Sequence, residues 1–164
     1  MPTTIDINDR VQYTGKTGLS YTNYQRLNAD LAKLVYKPPG ARSPTFNTHG
    51  YQELPQYATE EFGVFLNPST KHAIVSFKGT SKYEEWWTSN IHTALNTQEF
   101  SEKFNNAKEH YDMVVSALGS SVTVDVTGHS LGGAKALFVA AHSDADPHAT
   151  VFNPGIGTTM IFGT

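Results

Sequence analysis

The chain has no cysteine, so it can form no disulfide and no thiolate metal site, and no thiol can serve as its nucleophile. Charge is scarce as well. Only 16% of the 164 residues are Asp, Glu, Lys or Arg, against roughly 25% in an average domain. The net charge of −3 exerts no long-range pull on nucleic acid or an anionic membrane, and no basic stripe offers a phosphate track. Nucleic acid is therefore excluded as a partner class. No apolar run approaches the ~20 residues of a membrane span, and Met1-Pro2-Thr3-Thr4 begins no signal peptide. The expectation is a soluble protein. The seven histidines show no ligand spacing, so neither a metal nor a cofactor is expected. What the chain does have is 38% apolar residues, 12% aromatics and 13 glycines, enough for one domain over residues 1–164.

The first 22 residues are polar, rich in Thr and Gly, and read as an irregular arm. From Asn23, as cap, Tyr24, Leu27, Leu31, Leu34 and Val35 recur at spacings of three and four, predicting an amphipathic helix that Pro38-Pro39-Gly40 stops. Residues 41–59 read as loop. Phe62–Leu66 and His72–Phe77, joined by Asn67-Pro68-Ser69-Thr70, predict a β-hairpin. Lys78-Gly79-Thr80-Ser81 breaks its second strand sharply. Phe100, Phe104, Ala107, Tyr111, Val114, Val115 and Leu118 mark a long helix closed by Gly119. A β-branched strand, Val122–Val126, then an Ala- and Leu-rich helix, Leu131–Ala141, and a strand, Ala149–Phe152, complete the pattern. Alternation of this kind implies an α/β fold, a mostly parallel sheet with helices on both faces.

Between the β-branched strand and the Ala-rich helix stands Gly128-His129-Ser130-Leu131-Gly132-Gly133, a G-x-S-x-G sequence in a strand-to-helix context. So abrupt a turn forces Ser130 into strained backbone angles and holds its hydroxyl exposed at the carboxyl end of the sheet. Side chains at Gly128 and Gly132 would collide with neighbouring elements. The amide of Leu131 opens the helix, where unused donors and the positive dipole end favour a developing oxyanion. Upstream, Ile74-Val-Ser-Phe-Lys-Gly79-Thr80 ends a strand in a turn that can supply a second donor from the Thr80 amide.

Taken in order, I-V-x-F-K-G-T, W-W-x-x-N, V-T-G-H-S-L-G-G-A and T-V-F-N-P-G-I-G resemble the class 3 (fungal-type) lipase family of α/β-hydrolases, over Ala73 to Gly157. The resemblance implies a serine hydrolase acting on carboxylic esters, typically acyl lipids, with transient contact to a lipid interface. It implies Ser130 as nucleophile, with Thr80 and Leu131 as the oxyanion hole. It also sets Ser81 to Asn90 where the family carries a lid, with Trp86 and Trp87 either meeting an acyl chain or packing beneath the loop.

The family's catalytic Asp and His follow the nucleophile after further strands, and this chain ends at Thr164 without those segments. His142, Asp144, Asp146 and His148 follow Ser130, but a helix from Leu131 to Ala141 carries them about 16 Å away, to the opposite end of the sheet. A general base must come within ~3 Å of the hydroxyl. His129 adjoins Ser130 on diverging directions, Asp125 sits mid-strand, His72 begins a strand at the wrong end, and His110 lies on the polar side of its helix. His49 and His92 lie in loops of undetermined direction. Three readings follow: a piece of a longer hydrolase whose remainder supplies the acid and base, a non-catalytic lipase-like assembly protein, or an unusual site completed by a residue such as His92. Without the usual C-terminal strands, Ala149–Phe152 is expected to expose an unpaired edge. That edge is expected to pair with the tail around Met160-Ile161-Phe162, a second copy, or another chain.

Overall fold

The computed structural model describes the backbone of residues 11–14 and residues 22–43, 50–79 and 97–154 with their side chains. In chain order the elements are β1 (Val11–Thr14), α1 (Asn23–Leu34), β2 (Gln52–Glu53), a 3-10 turn (Pro55–Tyr57), β3 (Phe62–Asn67), β4 (His72–Phe77), α2 (Gln98–Leu118), β5 (Thr123–His129), α3 (Leu131–His142) and β6 (Ala149–Phe152). The strands form a six-stranded sheet in the order β1-β6-β5-β4-β3-β2. The pairs from β1 to β4 run parallel, while β3 is antiparallel to both β4 and β2.

The hairpin turn closes because the Asn67 side chain accepts from the amides of Ser69 and Thr70, at 3.0 and 3.3 Å. Helix α1 is capped one residue earlier than expected. Thr22 accepts from the Gln25 amide at 3.2 Å, and the Gln25 side chain accepts from the Thr22 amide at 2.9 Å, a reciprocal capping box. Gly119 closes α2 with a φ of 86°, a conformation that costs other residues energy.

Side-chain alternation divides the core. Ala73, Val75 and Phe77 of β4 and Val124 and Val126 of β5 face α2 and α3, where Phe104, Tyr111, Leu131 and Leu137 join them. Ile74 of β4 and Phe65 of β3 face α1, against Leu27, Leu31 and Leu34. Each fully buried Val, Leu, Ile or Phe among them contributes about 1.5–3 kcal/mol. Helices thus cover both faces. Among the described residues, no helix is long and apolar enough to cross a membrane.

Three findings differ from the sequence reading. First, residues 11–14 of the arm read as irregular form β1, in register from Val11 opposite Ala149 to Thr14 opposite Phe152. The edge of β6 is therefore paired by the chain's own N-terminal segment, and this edge requires neither the tail, a second copy nor another chain. A polar segment can serve there because an edge strand needs only its backbone groups to pair. Second, residues 41–59 contain β2 and the 3-10 turn, both too short to leave a periodic pattern. Third, His110 is half-buried and stacked on Phe62, with ring centroids 4.2 Å apart, rather than on a polar face.

Candidate active site at the turn from β5 to α3

Ser130 joins β5 to α3 with φ 56° and ψ −125°, a region that non-glycine residues occupy only under strain of about 1–3 kcal/mol. Two backbone bonds hold it there. Its amide donates to the carbonyl of Phe152 in β6 at 2.9 Å, and its carbonyl accepts from the amide of Ala134 at 3.1 Å. A serine at the start of a helix ordinarily caps it with the side-chain oxygen. Ser130 makes no such capping bond, so its hydroxyl is not spent on the helix it begins. The residue is only 5% exposed, where the sequence suggested an open hydroxyl. The turn lies against the end of β4 through Gly132 and against the end of β6 through the Ser130 amide.

The glycines show how tight the crossing is. A β-carbon on Gly128 would overlap the backbone of Gly132, and one on Gly132 would overlap the carbonyl of Phe77 at the end of β4. The backbone of Gly79 is also in contact: a β-carbon there would lie 3.1 Å from the His129 carbonyl and 3.3 Å from the Gly132 amide nitrogen. The exit of β4 and the first turn of α3 therefore touch through bare backbone. Leu131, buried at the first helical position, presents one of the amides that have no acceptor inside a helix. Thr80, the other expected oxyanion donor, lies outside the described residues, as do Trp86, Trp87, His49 and His92.

Beside the turn is a cavity of about 210 Å³, lined by Ala29, Ala32 and Lys33 of α1 together with His129, Phe152 and Asn153. The acidic and histidine residues that follow α3 lie at the far end of the sheet. The amide of His148 donates to Asp125 at 2.9 Å, and Asp146, Pro147 and His148 border a second cavity shared with Thr123 and Val124, near the start of β5. His142 lies against the Phe138 ring at a centroid distance of 4.3 Å.

The structure also brings together two residues that the sequence kept apart. His72 Nε2 lies 2.7 Å from Asp125 Oδ2, and the Tyr51 hydroxyl lies 2.6 Å from His72 Nδ1. Tyr24 donates to the same Asp125 oxygen at 3.2 Å. Burial, followed by the Asp125 charge, pushes both tyrosine hydroxyls above their ordinary range. The pairing was recoverable from alternation, since β4 and β5 run parallel and Asp125 stands opposite Ile74, two residues on from His72. This His–Asp pair cannot serve Ser130. Ser130 lies five residue steps along the chain from Asp125, about 16 Å at ~3.3 Å per step.

A second missed residue is Arg42, fully buried and read as loop. Its guanidinium donates to the carbonyls of Lys37, Phe62, Val35 and Thr59 at 2.8–3.0 Å. Nothing in a lone arginine between Ala41 and Ser43 signals that role. Among the described residues no group of three or more His, Asp or Glu could hold a metal.

A family model described as phospholipase-like, the Tle-like phospholipase domain, matches residues 27–157. No curated protein matches the chain. Among solved structures, a native Rhizomucor miehei lipase propeptide complex is similar at 18% identity and a TM-score of 0.44, over 79% of this chain and 50% of its own. A fungal lipase–inhibitor complex is similar at 19% identity and a TM-score of 0.43, over 76% of this chain and 56% of its own. The chain thus spans about half the length of either structure.

Proposed function

The chain belongs to the Tle-like phospholipase domain family, lipase-like proteins of α/β-hydrolase fold, and from that premise we propose that it is a serine carboxylic-ester hydrolase acting on acyl lipids. The observation that carries this reading is the backbone of Ser130. A serine held at φ 56° by bonds to two other elements, with its hydroxyl withheld from helix capping, costs stability that a glycine would not. Such strain is accounted for when the side chain must stand at a fixed point ahead of a helix N-terminus.

In this reading the Ser130 oxygen attacks the ester carbonyl carbon, and its proton passes to a general base. The negative charge that develops on the carbonyl oxygen is met by the Leu131 amide and by Thr80. Collapse of the tetrahedral intermediate expels the alcohol, protonated by the same base, and leaves an acyl group on Ser130. Water then adds to that ester and releases the fatty acid and the free serine. The base belongs to a part of the protein other than the described residues. The 210 Å³ cavity bordered by His129, the neighbour of Ser130, is below the ~300–1,000 Å³ of a typical ligand pocket. It suits one end of a lipid, with Lys33 at its rim favouring a negatively charged group. Trp86 and Trp87 are proposed as the lid that meets the acyl chain or the lipid surface.

The test is fatty-acid release from dispersed phospholipid and from a short-chain ester, using the protein isolated from its natural source. Release that is lost on Ser130→Ala supports the reading. One observation favours a second reading, a non-catalytic lipase-like assembly protein: the described acid and histidine residues after Ser130 gather at the wrong end of the sheet. That reading predicts no release from either substrate and a stable complex with a partner chain.

A further inference from the structure

Helix α3 contains a lysine where its packing calls for an apolar residue. Lys135 lies five residues after Ser130, its side chain is 0% exposed, and Ala134, Ala136 and Leu137 around it are all buried. A charge taken out of water costs several kcal/mol after relaxation, and an apolar side chain of similar volume is often as good or better for stability. Fold stability therefore does not account for Lys135.

Its contacts point to another role. Among the described residues the ammonium reaches two oxygens. It donates to the carbonyl of Lys78 at 3.0 Å, and it lies 3.9 Å from Glu61 Oε2. Lys78 is the first residue past β4, and its amide is held as well, donating to the Glu61 carbonyl at 2.9 Å. Both backbone groups of Lys78 are thus fixed from outside the strand. The next residue, Gly79, is the one whose backbone lies against His129 and Gly132. Glu61 is itself held in place, because Arg42 binds the carbonyls of Thr59 and Phe62 on either side of it. The charged groups facing Lys135 are Glu61 before β3, Lys78 after β4 and Lys103 on α2, the last 3.8 Å from the other Glu61 oxygen.

We propose that Lys135 is a positioning residue for the ester chemistry at Ser130, fixing the Lys78 carbonyl so that the chain leaves β4 along the nucleophile turn. This rests on the hydrolase reading above. Lys135 touches no reacting atom. It sets the peptide plane between Lys78 and Gly79, and through it the backbone that packs against His129 and Gly132, on either side of Ser130 and the Leu131 amide. A donor displaced by about 1 Å from a developing oxyanion forfeits much of its effect, on the order of 10–100-fold in rate.

The experiment measures the rate at which a fluorophosphonate forms an adduct on Ser130, alongside thermal melting, in the protein from its natural source and in two variants. Lys135→Met keeps the apolar stem and removes the donor, and Lys135→Gln restores a donor without the charge. Lys135→Met is expected to melt at or above the wild type yet to label about tenfold more slowly. Lys135→Gln is expected to recover at least about threefold of that loss, which a purely structural role would not produce. If Lys135→Met fails to fold, Lys135→Leu, also apolar and without a donor, takes its place: labelling about tenfold slower than wild type at an unchanged or higher melting temperature supports the proposal, and a wild-type rate overturns it. Wild-type rates in Lys135→Met overturn the positioning role and leave the hydrolase reading standing. Absence of any adduct on wild-type Ser130 overturns that reading, and the proposal with it.

Discussion

The amide of Ser130 donates to the carbonyl of Phe152 at 2.9 Å, joining the turn between β5 and α3 to the end of β6. This bond explains how a serine persists at φ 56° without glycine's freedom. The neighbouring strand holds the strained backbone from outside the turn. The strain should be measurable. Ser130→Gly relieves it while Ser130→Ala keeps it, so the glycine variant is expected to be more stable than the alanine variant by about 1–2 kcal/mol, even after glycine's extra chain entropy in the unfolded state. Urea denaturation of the two variants checks this. Equal stability would mean that the turn is not strained.

The His72–Asp125 pair lies at the opposite end of the sheet and is expected to act on stability alone. Asp125→Asn keeps the shape and weakens the charge-assisted bonds to His72, Tyr24 and the His148 amide. A loss of about 1.5–3 kcal/mol is expected, with the rate of Ser130 labelling unchanged. A fall in labelling with stability intact would show that the two ends of β5 are coupled.

Arg42 is expected to be the costliest single position in the α1 side of the fold. Its guanidinium ties the end of α1, through the Val35 carbonyl, to the turn before β3. Burial lowers its pKa, but an arginine remains charged at any pH at which the protein folds. Arg42→Met removes the bonds to the Val35, Lys37, Thr59 and Phe62 carbonyls and should cost about 2–4 kcal/mol, read by chemical denaturation. A cost below about 1 kcal/mol, the worth of one ordinary hydrogen bond, would contradict the role assigned to it.

Lys135 makes a prediction about pH. Burial is the largest influence on its ammonium and lowers its pKa from 10.5 to about 8, against the pull of Glu61. Between those two values the unfolded chain binds more protons than the folded one, so stability rises with pH across that window. Above pH 10 the raised Tyr24 and Tyr51 hydroxyls act in the opposite sense, because the unfolded tyrosines lose protons first. From pH 8 to 10 the stability of the wild type relative to Lys135→Met should therefore climb, at up to about 1.4 kcal/mol per pH unit. Parallel curves for the two proteins would show that Lys135 titrates as it does in water.

Much of this architecture is legible in the sequence because it is local. The hairpin of β3 and β4 follows from two apolar runs around Asn67-Pro68. The end of α2 at Gly119 and the β5–Ser130–α3 order follow from periodicity and glycine placement. What escapes the sequence is set by pairing at a distance. β1 is a strand because β6 offers it an edge, and no feature of Val11–Thr14 alone requires that. Arg42 and Lys135 look like surface residues in the sequence, since the carbonyls that hold them come from residues such as Phe62 and Lys78, far along the chain. The His72–Asp125 pair needed the register of two parallel strands before its geometry could be seen. At the candidate site, the tight crossing at Gly128 and Gly132 was legible, because a strand-to-helix turn leaves no room for β-carbons. The burial of Ser130 was not, because it is set by packing between elements, which no local pattern records.

The most direct test of the hydrolase reading is mass-spectrometric mapping of a fluorophosphonate adduct on the protein from its natural source. A single stoichiometric adduct on the peptide containing Gly128-His129-Ser130-Leu131-Gly132, absent from Ser130→Ala, is the predicted result. A folded protein with no adduct on that peptide, or with its adduct on another residue, would contradict the assignment of Ser130 as the nucleophile.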